Sequence, residues 1–245
     1  MKTIAFIVTV GICVMILERI IPDQDLPKVD RWWHRVIFLN FTQMLVVIAA
    51  GLTWERYLQQ WSLLSLSTKV SNTTAALICY LSVVFVFYWW HRFRHTFYFL
   101  WLAFHQIHHS PQRIETITSF YKHPLEIAVN SLIIAFLSFT ILGINLETSA
   151  IVTIMTAFAE FFYHMNIKTP QWVGWFIQRP EMHRIHHQQG KHFNNFADLP
   201  VLDMIFGTYE NPPNYTGKCG YLPEREVRLK EMFFFRNVNG KYKKN

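Results

Sequence analysis

The chain has 245 residues, of which 51% are hydrophobic, 17% aromatic and only 16% charged, with a net charge of +7. So low a charged fraction excludes an ordinary soluble domain, where about a quarter of residues are charged. The basic balance comes with no nucleic-acid motif and fits a bias set by membrane topology.

Five apolar segments follow in chain order, at 3–21, 36–52, 75–90, 125–144 and 148–163. A helix needs about 20 residues to cross the hydrocarbon, and the first four segments meet or nearly meet that length. The first has one lysine and no small-residue cleavage site, so we read it as a retained anchor. The fifth carries Glu160 near its end, which suggests that this end leaves lipid and faces a site.

Loop charge gives the expected orientation. Lys28, Arg31 and Arg35 follow the first segment, and Arg92, Arg94, Arg113 and Lys122 follow the third. Twelve Lys or Arg lie beyond Asn166, whereas the alternate side holds Lys2, Arg56 and Lys69. Five crossings with the N-terminus outside put the basic loops on one face, which the positive-inside rule makes cytoplasmic. The expected architecture is therefore an all-α integral membrane protein with four to five transmembrane helices and a cytoplasmic helical cap. We divide it into N-terminal anchor helices (1–74), a catalytic membrane domain with its cap (75–210) and a basic C-terminal tail (211–245).

Cys13, Cys79 and Cys219 form no CxxC or CxxCH, which argues against a disulfide scaffold, a zinc ribbon, thiolate iron–sulfur sites and c-type haem. Any metal must be held by nitrogen, with or without oxygen. Nine of the twelve histidines supply the nitrogen: His91 and His95 as HxxxH, then His105, His108 and His109 as HxxHH. His183, His186 and His187 repeat HxxHH, and His164 stands between the two. Residues i, i+3 and i+4 share a helix face, so each cluster is predicted as a prepositioned half-site, and Pro180 suits the first turn of a helix carrying the last one. One straight helix would separate His91 from His105 by about 21 Å, so a shared site needs the chain to fold back between His95 and His105.

A structural zinc site needs four ligands; nine imidazoles suit two ions with four or five each. Glu160, four residues before His164, is either a ligand or neighbour of the metals or a helix-end residue reaching water. His123, just before Pro124, is read as a cap or a ligand. His34 is read as an interface anchor and His192 as a surface residue. The basic end from Lys241 to Lys244 is read as a tail near anionic lipid or an ER-type lysine signal.

The set His91-Arg-Phe-Arg-His95, His105-Gln-Ile-His108-His109, His123-Pro124-Leu125-Glu126, His164-Met-Asn166, His183-Arg-Ile-His186-His187, Asn195 and Asp203-Met-Ile-Phe206-Gly207-Thr208-Tyr209 resembles the fatty acid hydroxylase superfamily. The resemblance, over 88–209, implies a membrane di-iron oxygenase that hydroxylates or desaturates an unactivated C–H bond of a lipid with O2 and two electrons. Zinc can stand in for iron in a purified sample. It implies one metal on His91, His105, His108, His183 and His186, and a second on His95, His109, His164 and His187. The fifth ligand of the second is Glu160, His123 or water, since some relatives have HxxxH where this chain has Glu160 and His164. No flavin, nicotinamide or cytochrome b5 haem motif is present, so a separate reductase, ferredoxin or cytochrome b5 type donor is expected. The other readings are an ether-lipid or sterol methyl monooxygenase on the same scaffold, and a non-enzymatic metal or haem carrier.

Overall fold

A computed structural model describes residues 2–191 and 193–239; His192 and the lysine-rich end from Lys241 lie outside the described residues. The described residues form helices and turns with no strand beyond one isolated bridge between Gln188 and Cys219. Four helices are long and apolar enough to cross a bilayer. These are α1 (Lys2–Ile20), α2 (Trp32–Leu52) with its short continuation α3 (Trp54–Leu58), α4 (Asn72–Thr96) and α6 (Pro124–Ala135), which runs on as π-helix over Phe136–Leu142. Between α4 and α6 lies the short α5 (Tyr98–Phe104).

The fifth expected crossing is α7 (Leu146–His164), which is not apolar enough to be counted with the four and carries Glu147 and Glu160 near its ends. It nonetheless covers the same depth as α4. At the far face Asn72 Oδ1 accepts hydrogen bonds from Asn145 Nδ2 at 3.0 Å and Thr148 Oγ1 at 3.1 Å. At the near face His91 of α4 and His164 of α7 stand in adjoining histidine groups. Nineteen residues rise about 28 Å, close to the hydrocarbon thickness.

Local chemistry sets the helix ends. Ser71 caps α4 through the Thr74 amide and Asn145 caps α7 through the Thr148 amide, each satisfying a donor the first turn leaves free. Gly143 ends the π-helix at φ +66°. A Cβ there would lie 1.9 Å from Ser62 Oγ, so this turn admits only glycine. α1 meets α7 closely at Gly11, where a Cβ would come within 3.0 Å of the Phe161 ring.

Residues 97–123 and 165–239 cover the near face and include α8 (Pro180–His186), α9 (Val201–Ile205), α10 (Pro223–Glu226) and α11 (Leu229–Phe233). The segment expected as a basic tail is not loose over its described part. Tyr221, Met232 and Val238 are buried with Trp32, Val36 and Leu39 of α2, because apolar side chains at these positions close the cap over the start of that helix. Glu18 ties the cap to α1: its buried carboxylate accepts from the Thr116 amide, the Thr116 hydroxyl and the Asn166 amide at 2.8–3.0 Å.

Candidate metal centre

Four pieces of chain bring the nine histidines together. His91 and His95 end α4, one turn apart on one face. Phe97 is extended and breaks the helix, so α5 turns back and sets the His105 ring centroid 4.7 Å from that of His91. The fold-back expected between His95 and His105 is present. His164 is the last residue of α7, and His183 and His186 lie on α8, with Pro180 in its first turn as expected.

One expectation needs correcting. His105, His108 and His109 do not share a helical stripe. α5 stops at Phe104 and 105–109 is a turn, because His105 leaves helical geometry at φ −140°. Adjacent residues of this turn then point to different places.

The consequence is a partition into two nests. His91, His95, His105, His109 and His186 form one; His108, His164, His183 and His187 form the other. Within each nest the candidate ligand atoms all lie within 4.8 Å of one another. This differs from the split implied by the resemblance: His108 and His183 sit with the second group and His95 and His109 with the first. Each HxxHH motif gives one of its last two histidines to each nest. The His109 and His187 rings stack across the boundary with centroids 4.2 Å apart.

Whether these rings suit a metal can be tested on their two nitrogens. His91 Nδ1 lies 2.9 Å from the Phe196 carbonyl, His164 Nδ1 2.8 Å from the Glu160 carbonyl and His186 Nδ1 2.8 Å from the Asn194 carbonyl. His105 Nδ1 is 3.1 Å from a Glu126 carboxylate oxygen and His183 Nδ1 3.1 Å from Gln178 Oε1. For His91, His164, His183 and His186 the neighbour is an acceptor, so each Nδ1 carries the proton and donates, whereas His105 Nδ1 faces both Glu126 and, at 3.1 Å, the Arg94 guanidinium. In those four Nε2 is then the unprotonated nitrogen and points inward, as in metal-binding histidines generally.

The inward nitrogens crowd accordingly. His183 Nε2 lies 3.1 Å from His164 Nε2 and 3.0 Å from His187 Nε2. That separation matches the edge of a coordination shell whose metal–nitrogen bonds are about 2.1 Å. His91 Nε2, His105 Nε2 and His108 Nδ1 are buried with no hydrogen-bond partner among the described residues. Burial, and after it the neighbouring cationic and imidazole groups, holds His105, His108, His109 and His183 well below the usual imidazole range. For His183 the cause after burial is the ring of His164, its partner in the second nest. Neutral imidazole is the form that binds metal.

Glu160 and His123 stay out of both nests. Glu160 accepts from Lys122 Nζ at 2.7 Å, and its other carboxylate oxygen lies 3.6 Å from His164 Nδ1. Its backbone carbonyl, not its carboxylate, makes the closer contact with His164. His123 caps α6, its Nδ1 accepting from the Leu125 amide at 2.9 Å. His34 is exposed on α2, clear of the nests.

Sequence reasoning assigned no role to the groups that hold the ligands. Glu126 is fully buried and also pairs with Arg94. Asp203 accepts from the Phe196 amide at 2.8 Å, the Ala197 amide at 3.0 Å and the Thr208 hydroxyl at 2.7 Å, which fixes the loop whose carbonyl holds His91. Asn195, at φ +58°, donates to the Met182 and Glu210 carbonyls and accepts from the Glu210 amide, all at 2.9 Å. The Asn195 and Asp203–Tyr209 motif is thus the frame of the centre. Asp198 faces the cavity beside it, and burial, with the nearby Glu160 carboxylate second, pushes its carboxyl up to about 7.

A cavity of about 650 Å³ opens from the nests into the helix bundle. His91, His105, His108 and His183 stand at its head, and Val84, Phe87, Val152 and Ala157 line its body. The volume is that of a site for one small or chain-like ligand.

The family model for fatty acid hydroxylase matches residues 76–208, more than half of the chain and a span holding all nine histidines. Alkylglycerol monooxygenase of Homo sapiens is 27% identical over 139 residues, which are 54% of this chain and 29% of that protein. The chain therefore spans less than a third of that relative's length. No solved structure matches the chain.

Proposed function

The chain belongs to the fatty acid hydroxylase family, and from that premise we propose that it is a membrane-bound di-iron oxygenase acting on a hydrocarbon chain of a lipid. The observation that carries the reading is the pair of all-histidine nests at the head of an apolar cavity. On this reading His91, His95, His105, His109 and His186 hold one iron, and His108, His164, His183 and His187 hold the other. Bound there, the irons supply O2 activation, with two electrons from a separate reductase, ferredoxin or cytochrome b5 type donor.

The protein's own part is orientation and exclusion. Gln178 and the carbonyls of Phe196, Asn194 and Glu160 hold four of the imidazoles in the tautomer whose Nε2 is unprotonated, and Glu126 with Arg94 fixes the ring of His105. An alkyl chain offers no polar handle near its reactive carbon, so the walls of the cavity must place that carbon beside the nests. The same walls keep bulk water from the reacting group. We place the nests on the cytoplasmic side, which lets a tail enter from lipid while electrons arrive from water. α7 then makes the fifth crossing.

Two measurements test this. Purified protein should contain two metal ions per chain, and a lipid extract exposed to active protein should gain a hydroxylated or desaturated species. Folded protein with no metal, or an unchanged extract in the presence of a competent donor, would falsify the reading. The similarity to alkylglycerol monooxygenase favours an ether lipid as a second substrate class to include in that extract. A haem carrier is disfavoured by the ring-on-ring packing of His109 with His187 and of His164 with His183, whose centroids are 4.2 and 4.3 Å apart.

A further inference from the structure

The wall that α1 and α2 give the cavity is largely exposed. Val83, Val84 and Tyr88 of α4, Ile127 of α6 and Val152 and Ala157 of α7 line it and are buried, as the wall of an enclosed space must be. Val8 of α1 and Ile37, Phe41 and Met44 of α2 also line it, yet they are 51%, 59%, 53% and 42% exposed. Exposure of this extent along the α1–α2 wall, at Val8 and Met44 as well as Ile37 and Phe41, points to an opening of the cavity there. Ile37 and Phe41 are also shared with a second, shallow hollow of about 340 Å³ on the outer side of α2.

The packing explains the gap. At the near face α1 and α2 meet, with the Arg19 guanidinium 6.0 Å from the Trp33 ring centroid. Deeper in the bundle each helix leans on a different neighbour. α1 rests on α7, where Gly11 lets Phe161 approach and Phe6 meets Phe158 with ring centroids 5.9 Å apart. α2 rests on α6.

We propose that the opening between α1 and α2, below the Arg19–Trp33 contact, is a lateral portal through which one hydrocarbon chain of a membrane lipid passes from the bilayer into the cavity. This rests on the reading of the protein as a lipid oxygenase and names the route its substrate takes. The occupant is an alkyl chain because Val8, Ile37, Phe41 and Met44 at the rim are all apolar, and because helices α1 and α2 are composed to face lipid. A free, water-borne substrate would need an opening through the cap instead.

The test uses the full chain in vesicles of a phospholipid that carries a photoactivatable diazirine in its acyl chain. The background is Cys13→Ser, since that cysteine is exposed on α1. Val8→Cys and Phe41→Cys are added and joined by a cleavable bis-maleimide. Labelling at the buried positions Val84 and Ala157 is then mapped by mass spectrometry. The unlinked protein should be labelled at both, labelling should be lost on linking, and cleaving the linker should restore it. Interior labelling that survives linking overturns the portal, and so does an unlinked protein with no interior labelling. Restoration on cleavage separates a closed portal from a misfolded chain. The readout needs neither metal nor O2, so it stays separate from the product assay: a labelled but inactive protein would overturn the oxygenase and leave the portal standing.

Discussion

His164 and His183 face each other nitrogen to nitrogen, Nε2 to Nε2 at 3.1 Å, although one ends α7 and the other lies on α8. The contact makes the second nest depend on how the cap sits against the bundle. His164 serves that nest alone, as His95 serves the first alone. His164→Ala and His95→Ala should each halve the metal content of purified, folded protein, as elemental analysis would show. Full loading in both variants would place the metals elsewhere.

Glu126 is buried against Arg94 and bonded to His105. Glu126→Ala leaves the Arg94 charge without its partner, and losing one member of a buried ion pair costs roughly 3–5 kcal/mol. Glu126→Gln keeps the shape but weakens the hold on His105, and such changes around a ligand lower metal affinity roughly 10–100-fold. Thermal unfolding checks the first variant and a competition titration with a chelator the second.

Asp203 carries three hydrogen bonds in the loop behind His91. Asp203→Ala should destabilise the protein by roughly 3 kcal/mol or more, since single hydrogen bonds to charged groups contribute about 1.5–3 kcal/mol. It should also loosen the first nest, because the Phe196 carbonyl then no longer fixes the His91 ring. Denaturant unfolding and metal content read the two effects separately.

The buried, neutral imidazoles of His105, His108, His109 and His183 give the pH dependence its sign. Their folded affinity for protons lies below the unfolded value of 6.5. The unfolded chain therefore binds more protons below that pH, so stability is fully present above 6.5 and declines as pH falls. Protons also compete with metal for the same nitrogens. Melting temperature and metal content should both drop between neutral pH and mildly acid pH, and a metal-free sample should show the stability loss alone.

Ala157 faces the cavity one turn from Glu160 and is buried. Ala157→Phe should fill that stretch, lowering turnover or shifting it to shorter chains while both metals stay bound. Unchanged turnover and chain-length preference would show that the substrate does not use this part of the cavity.

The fold-back between His95 and His105 was legible in the sequence because distance along a helix is fixed by residue count. The partition of the nine histidines was not. Stripe logic assumes a helix, and 105–109 is a turn in which His108 and His109 diverge. Nor could the acceptors for Nδ1 be read, since three of the five are backbone carbonyls that any residue can supply. Glu160 shares a face with His164 at i, i+4, but the partner its carboxylate takes, Lys122, lies 38 residues away in sequence and could not be read. Four of the five expected crossings were readable from apolar length, whereas the packing of 211–239 onto α2 was hidden in a stretch whose composition is polar and basic.

His108 with His109, and His186 with His187, each set two neighbouring residues on opposite sides of the boundary between the nests. The two pairs act as a double yoke. A single peptide unit links one nest to the other on each arm, so covalent geometry as well as helix packing limits how far the two nests can separate. For the same reason, a change that shifts the backbone of either histidine pair would reach both nests.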